Sequence, residues 1–213
     1  MDSRKLYTDL SELLEASLLG FADPVLLRRI FLLHARDLFS DPDNYGNYDE
    51  LKELLYTDNK STRTLDIDLD FIYDSEEISK KPAIYVGTGP IQFEKQVIDN
   101  SAGAPQDGVS VTTLQAKTSI QIKHVSNQAD VSLMLGGIST NYFGAIRDTM
   151  FNNFPNVLRY EIKELSGPSL IEGTKIRSFQ TNLSIDLAFD ALWSTVRESH
   201  LIKSVSIDAR PAG

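Results

Sequence analysis

The clearest pattern in this 213-residue chain is a change of hydrophobic period at Arg63. Before it, apolar residues recur every three or four positions. Leu6, Leu10, Leu13, Leu14 and Leu18 form one stripe over Ser3–Leu19, closed by Gly20, which suits a left-handed helix cap. Asp23-Pro24 offers an N-cap and a first-turn proline, predicting a second helix to about Phe39, where SDPDNYGN breaks it. A short third helix is expected over Tyr48–Tyr56.

After Arg63 the period is two. Leu65, Ile67, Leu69 and Phe71 alternate with Thr64, Asp66, Asp68 and Asp70, predicting a strand with one apolar and one carboxylate face. Pro82–Phe93 and Val109–His124 read as extended arms joined by a polar loop, with a bend at GTGP (87–90). That loop, about 94–108, carries Ser101, Ala104, Pro105, Gln106 and Asp107 and is expected to contact a partner. From 129 to 154 the helical period returns. Val131, Met134, Leu135, Ile138, Tyr142, Ile146 and Met150 mark one face of a long helix, with Asn127 as its cap and Asp130 in its first turn. Gly136, Gly137 and Gly144 within it predict close packing or a kink, since each costs roughly 1 kcal/mol against alanine. Leu158, Tyr160 and Ile162 predict a strand and Ile176–Phe189 a long one, while Leu201–Ile207 reads as a final strand or extension. The aromatics Phe179, Phe189 and Trp193, with Tyr142, Phe143, Phe151 and Phe154, read as core.

The order of helices, strands, one long helix and strands predicts an α+β fold. A mostly antiparallel sheet is packed by a long central helix, with a helical region at 1–60 and the main domain at 61–213.

Composition narrows the classes. Hydrophobic content of 41% and charged content of 24% fit a globular protein, and no apolar run approaches the ~20 residues of a membrane-spanning helix. The first residues lack the apolar core of a secretory signal, so export by that route is not expected. With no cysteine, disulfides, thiolate metal sites and a cysteine nucleophile are excluded. Charge is uneven: residues 1–78 hold 18 acids and 8 bases, net −10, and residues 79–213 hold 12 acids and 13 bases, net +1. An acidic first third is a poor grip for a phosphate backbone.

Three groups invite a chemical reading. Asp66, Asp68 and Asp70 stand about 6.6 Å apart on one strand face, a spacing that could offer oxygens to a hard cation. Such side chains diverge on a straight strand, so an acidic surface or lumen-facing row is the reading preferred over metal. Gly87-Thr88-Gly89 lacks the third glycine and following helix of a phosphate cradle. His34, His124 and His200 fall on separate elements, and no GxSxG elbow accompanies them. No catalytic, cofactor or metal site is therefore expected.

The stretch KPAIYVGTGPIQFEKQVIDN, the strand ending SIQIKHVS, the helix beginning ADVSLMLGGI and the late strand RSFQTNLSIDLAFDALW together resemble tailed-bacteriophage neck proteins of the tail-terminator or tail-completion family. The likeness spans about Arg63–Ile207, and the helical first sixty residues are longer than in compact members. It implies a non-enzymatic virion subunit without cofactors, forming a homo-oligomeric, six-membered ring at the neck. Such a ring ends the tail tube and joins it to the head-tail connector, with DNA passing through unbound. A head-completion or baseplate adaptor is the alternative, followed by a small enzyme or ligand-binding domain.

Overall fold

The structure, a computed structural model, describes residues 24–70, 82–94, 109–154, 156–172 and 177–196. The helix expected at Ser3–Leu19, the loop residues Ser101, Ala104, Pro105, Gln106 and Asp107, and the extension at Leu201–Ile207 lie outside the described residues.

Helix α1, Pro24–Leu38, buries Leu27, Ile30, Phe31, Ala35 and Leu38, one stripe at helical spacing. It is followed by a 3-10 turn at Pro42–Tyr45, capped by the Asp41 side chain, which accepts from the Asp43 N–H at 2.9 Å. The helix expected at Tyr48–Tyr56 is instead a three-residue 3-10 turn, Asp49–Leu51. So short a segment cannot nucleate an α-helix by itself. Its backbone groups go to Thr64, whose hydroxyl accepts from Leu55 N–H at 2.7 Å and donates to the Glu53 carbonyl at 2.6 Å.

Seven strands follow the period-two segments: β1 (Asp66–Leu69), β2 (Ala83–Thr88), β3 (Gln92–Glu94), β4 (Val109–Ser126), β5 (Val157–Leu165), β6 (Ser169–Ile171) and β7 (Ser178–Val196). They form one sheet in the order β1-β2-β4-β7-β5, with β3 added to β4 and β6 to β7. The two arms joined by the polar loop pair as expected, β2 and β3 each running antiparallel to β4. β1 and β2 are parallel, while every other strand pair among the described residues is antiparallel.

Helices cover one face of this sheet. α1 lies over β1 and β2, and α2 (Ala129–Ala145) over β4, β7 and β5. Beneath them β4 buries Ala116, Ile120, Ile122 and His124, and β7 buries Leu183, Ile185, Leu187 and Phe189. Phe31 of α1 joins the layers, its ring 5.6 Å from Phe143 of α2 and 6.3 Å from Tyr160 of β5. The other face is polar, carrying Asp66, Asp68, Gln121, Lys123, Asn182 and Asp186, with a small apolar cluster of Ala83, Tyr85 and Val125 at one end.

The long central helix is two helices. α2 ends at Ala145 and α3 runs Arg147–Asn153, with Ile146 between them at φ −80° and ψ 0°. Of the predicted apolar face, Leu135, Ile138 and Met150 are buried, whereas Val131, Met134, Tyr142 and Ile146 are only partly so. Ser132, Gly136, Ser139 and Phe143 share the buried side. Small residues let the helix approach the sheet closely. A Cβ at Gly136 would stand 2.8 Å from Leu165 Cδ1 and 3.0 Å from Thr181 Cγ2. Gln128, rather than Asn127, holds the N-cap position and makes no side-chain cap bond.

Candidate functional site

Asp66 and Asp68 lie on one face of β1, the outer strand of the sheet, and Asp70 follows the strand's end; all three are half-buried. They are not a bare acidic row. Asp66 Oδ1 lies 3.5 Å from Arg63 Nη1, and Asp68 Oδ1 lies 3.9 Å from Arg36 Nη2 while accepting from the Leu69 N–H at 2.9 Å. The third, Asp70, packs against Gly87, where a Cβ would overlap its carboxylate. Sequence reasoning found the three acids by alternation but missed Arg36 and the reason for Gly87. Both partners are remote in sequence.

Arg36 does more than face Asp68. The Asp66 N–H donates inward to Pro82 O at 3.1 Å, so the neighbouring Ile67 carbonyl points off the sheet edge. Arg36 Nη2 and Nε donate to that carbonyl at 3.0 and 3.3 Å. Its guanidinium lies 5.1 Å above the Tyr56 ring, and that of Arg63 lies 4.5 Å from the same ring. The outer edge of β1 is thereby closed by a side chain.

The GTG segment ends β2 and begins the bend. Thr88 Oγ1 accepts from Arg28 Nε at 2.8 Å, Gly89 N–H donates to Ser119 O at 2.8 Å, and Thr118 Oγ1 donates to Gly89 O at 3.1 Å. Its polar groups are spent within the fold, with no helix N-terminus behind them.

Of the histidines, His200 lies outside the described residues. His124 is wholly buried between β4 and α2. A carbonyl only accepts, so Nδ1 carries the proton toward Thr181 O at 3.3 Å, and Nε2 accepts from Ser139 Oγ at 2.7 Å. That is a serine–imidazole pair in hydrogen-bond geometry, yet both residues are sealed from solvent and a substrate has no route to them. His34, on α1, meets the Tyr142 hydroxyl at 3.2 Å. Burial pushes both imidazoles down to about 4.

Among the described residues a cleft of about 240 Å³ on the polar face of the sheet is lined by Gln92, Lys117, Ser119, Arg159 and Asp186, and two others are each about 490 Å³. One, between residues 44–48 and α2, is lined by Asn44, Asn47, Tyr48, Asn141 and Tyr142 and offers no acid, base or cation. The other lies between α3 and β5, around Arg147, Phe151, Leu158 and Ile162. No group of three His, Cys, Asp or Glu side chains that could hold a metal occurs among the described residues. No helix among them is long and apolar enough to cross a membrane. No family model and no curated protein sequence matches this chain.

The most distinctive feature is one of shape. β4 and β7 pair without a break from Val109↔Val196 to Ser126↔Phe179. β3 flanks β4 only as far as Gln115, and β5 flanks β7 only as far as Phe189. The pairs Val109↔Val196 to Leu114↔Ala191 therefore form a ribbon that, among the described residues, has no neighbouring strand on either side.

Proposed function

We propose that this chain is a structural subunit of a bacteriophage neck, forming a ring that ends the tail and joins it to the head connector while DNA passes through. The reading rests on the β4–β7 ribbon, which among the described residues outruns the strands beside it and offers backbone for assembly contacts. The likeness of the stretches around Pro82–Phe93, Val109–Ser126 and Ala129–Ile138 to tail-terminator sequences supports it further. So does the internal use of polar chemistry: Gln121 Nε2 donates to Ser184 Oγ at 2.9 Å, and the acids of β1 face arginines. Most cations of this face are likewise paired, Lys117 with Glu94 and Lys163 with Asp186, so a phosphate backbone passing near it meets little net positive charge.

Antibody labelling of imaged virions tests the location. Label at the head-tail junction is expected, and label on the baseplate or the capsid shell contradicts the neck assignment. Asp66→Asn, Asp68→Asn and Asp70→Asn together test the lumen role of the acidic row, with slower DNA ejection expected from assembled particles. Unchanged ejection removes that role.

A further inference from the structure

We infer that the cleft between residues 44–48 and α2 is a binding site for a neutral saccharide, separate from the ring contacts proposed above. At about 490 Å³ the cleft has the volume of a small-ligand site. Its lining combines amides and phenols with buried apolar residues. Leu38 and Ile138 are buried, Tyr48 and Tyr142 are half-buried, and Asn47 and Asn141 are exposed.

The local fold brings these groups together. Gly46 has φ +57°, a left-handed conformation that side chains disfavour, and it turns the chain after Tyr45 so that Asn47 and Tyr48 meet α2. The Tyr48 N–H donates to Tyr45 O at 3.1 Å. A Cβ at Gly137 would stand 3.6 Å from Tyr48 Oη, so the phenol lies against the helix at a glycine. Asn141 follows Gly137 by four residues and shares its face of α2. Its neighbour Tyr142 is held from behind by His34 at 3.2 Å.

On the sheet, polar side chains satisfy one another, as Gln121 does with Ser184 and Lys117 with Glu94. In the cleft they do not. Among the described residues the side-chain amides of Asn47 and Asn141 and the Tyr48 hydroxyl make no hydrogen bond within the chain. Asn44 spends only its Nδ2, which donates to Leu38 O at 2.9 Å.

This chemistry selects the ligand class. No carboxylate, ammonium or guanidinium lines the cleft, so a charged ligand would shed water without meeting an opposite charge. Each amide sets donors beside an acceptor, which matches neighbouring hydroxyls that both donate and accept. A phenol ring offers a flat apolar surface with a polar tip. A pyranose has both aspects, a C–H face for the tyrosines and a hydroxyl edge for the amides. A wholly apolar ligand would leave the amides unpaired. Neutral hydrogen bonds in an open cleft are individually weak, so the dissociation constant is on the order of 1 mM.

The test uses the full chain in saturation-transfer NMR and calorimetric titration with the methyl glycosides of glucose, galactose, mannose and N-acetylglucosamine. At least one should bind with a dissociation constant on the order of 1 mM, its ring protons saturated from tyrosine resonances. Asn47→Ala, Asn141→Ala and Tyr48→Ala should each weaken that binding at least fivefold, while Asn152→Ala on α3 binds as wild type does. The two cleft asparagine variants change exposed side chains and should melt near the wild-type temperature. If Tyr48→Ala does not fold, they decide alone. Glucuronate and glucosamine, the charged counterparts, should bind at least fivefold more weakly than the best neutral glycoside. No binding of any of the four at about 20 mM, or binding unchanged in both asparagine variants, overturns the site. Tighter binding of glucuronate, adenosine or uridine than of any glycoside overturns the saccharide class. These results leave the ring reading standing, and a strictly monomeric chain that binds a glycoside removes the ring and keeps the site.

Discussion

Along its length the sheet is two different objects. From Gln115 to Ser126, β4 lies beside β7 and is flanked by β2 or β3, with helices above and polar residues below. From Val109 to Leu114, β7 is its one neighbour among the described residues. The same two strands thus run from a packed body into a two-stranded ribbon. In the body, apolar residues alternate with polar partners that find one another, as Gln121 does with Ser184. In the ribbon the alternation is of uncharged residues alone. Packing fixes the first region, and backbone pairing alone defines the second among the described residues.

The contrast is broken most severely in the body. Phe143→Ala removes the ring that stacks on Phe31, and should cost about 3–5 kcal/mol of unfolding free energy in urea titrations. A cost below about 1 kcal/mol would mean that α2 is not packed as described.

Acid attacks the body next. His34 and His124 are held near 4 by burial and return to 6.5 when the chain unfolds. Below 6.5 the unfolded chain binds more protons, so stability is full above that pH and falls as the pH drops toward 4. The loss approaches about 3 kcal/mol for each imidazole. Denaturation at pH 7 and pH 4.5 measures it, and His124→Gln should flatten the dependence by about half. Equal stability at the two pH values contradicts the sealed geometry.

A smaller effect sharpens the edges. Arg36→Ala uncovers the Ile67 carbonyl and removes the cation beside Asp68, costing about 1 kcal/mol. It should also add association through the uncovered β1 edge, seen as mass above that of wild type at the same concentration. The smallest effect belongs to the ribbon itself. Val111→Ala should change unfolding by less than about 0.5 kcal/mol, since six pairs outside the body contribute little to its packing. A large loss would place the ribbon within the folding unit.

Much of this was legible in the sequence, and the failures have physical reasons. The period change at Arg63 located the sheet because the strands have one buried face, as at Leu65 and Ile67. β4 and β7 were visible through Ile120, Ile122, Leu183 and Ile185. Periodicity alone could not show where they outrun their neighbours, because that depends on where β3 and β5 stop. The central helix was drawn too long because Ile146 and Met150 continue the apolar spacing across a break that the backbone makes at Ile146. Its true buried face, with Ser132, Gly136 and Ser139, is too polar to register as core. The Tyr48–Tyr56 helix failed because Thr64, eight residues beyond it, captures backbone groups a helix would use. The acidic row was found by alternation, but Arg36, the partner of Asp68, comes from α1, and such long-range pairing is invisible to local spacing; Arg63 stands only three residues before Asp66 and was within its reach.

The most direct test of the central claim, that this chain is an assembly subunit, is the mass of the native particle by native mass spectrometry across dilution. The account predicts a closed multiple of the 23.8 kDa chain at micromolar concentration, giving way to monomer on dilution. A single 23.8 kDa species throughout the range contradicts it.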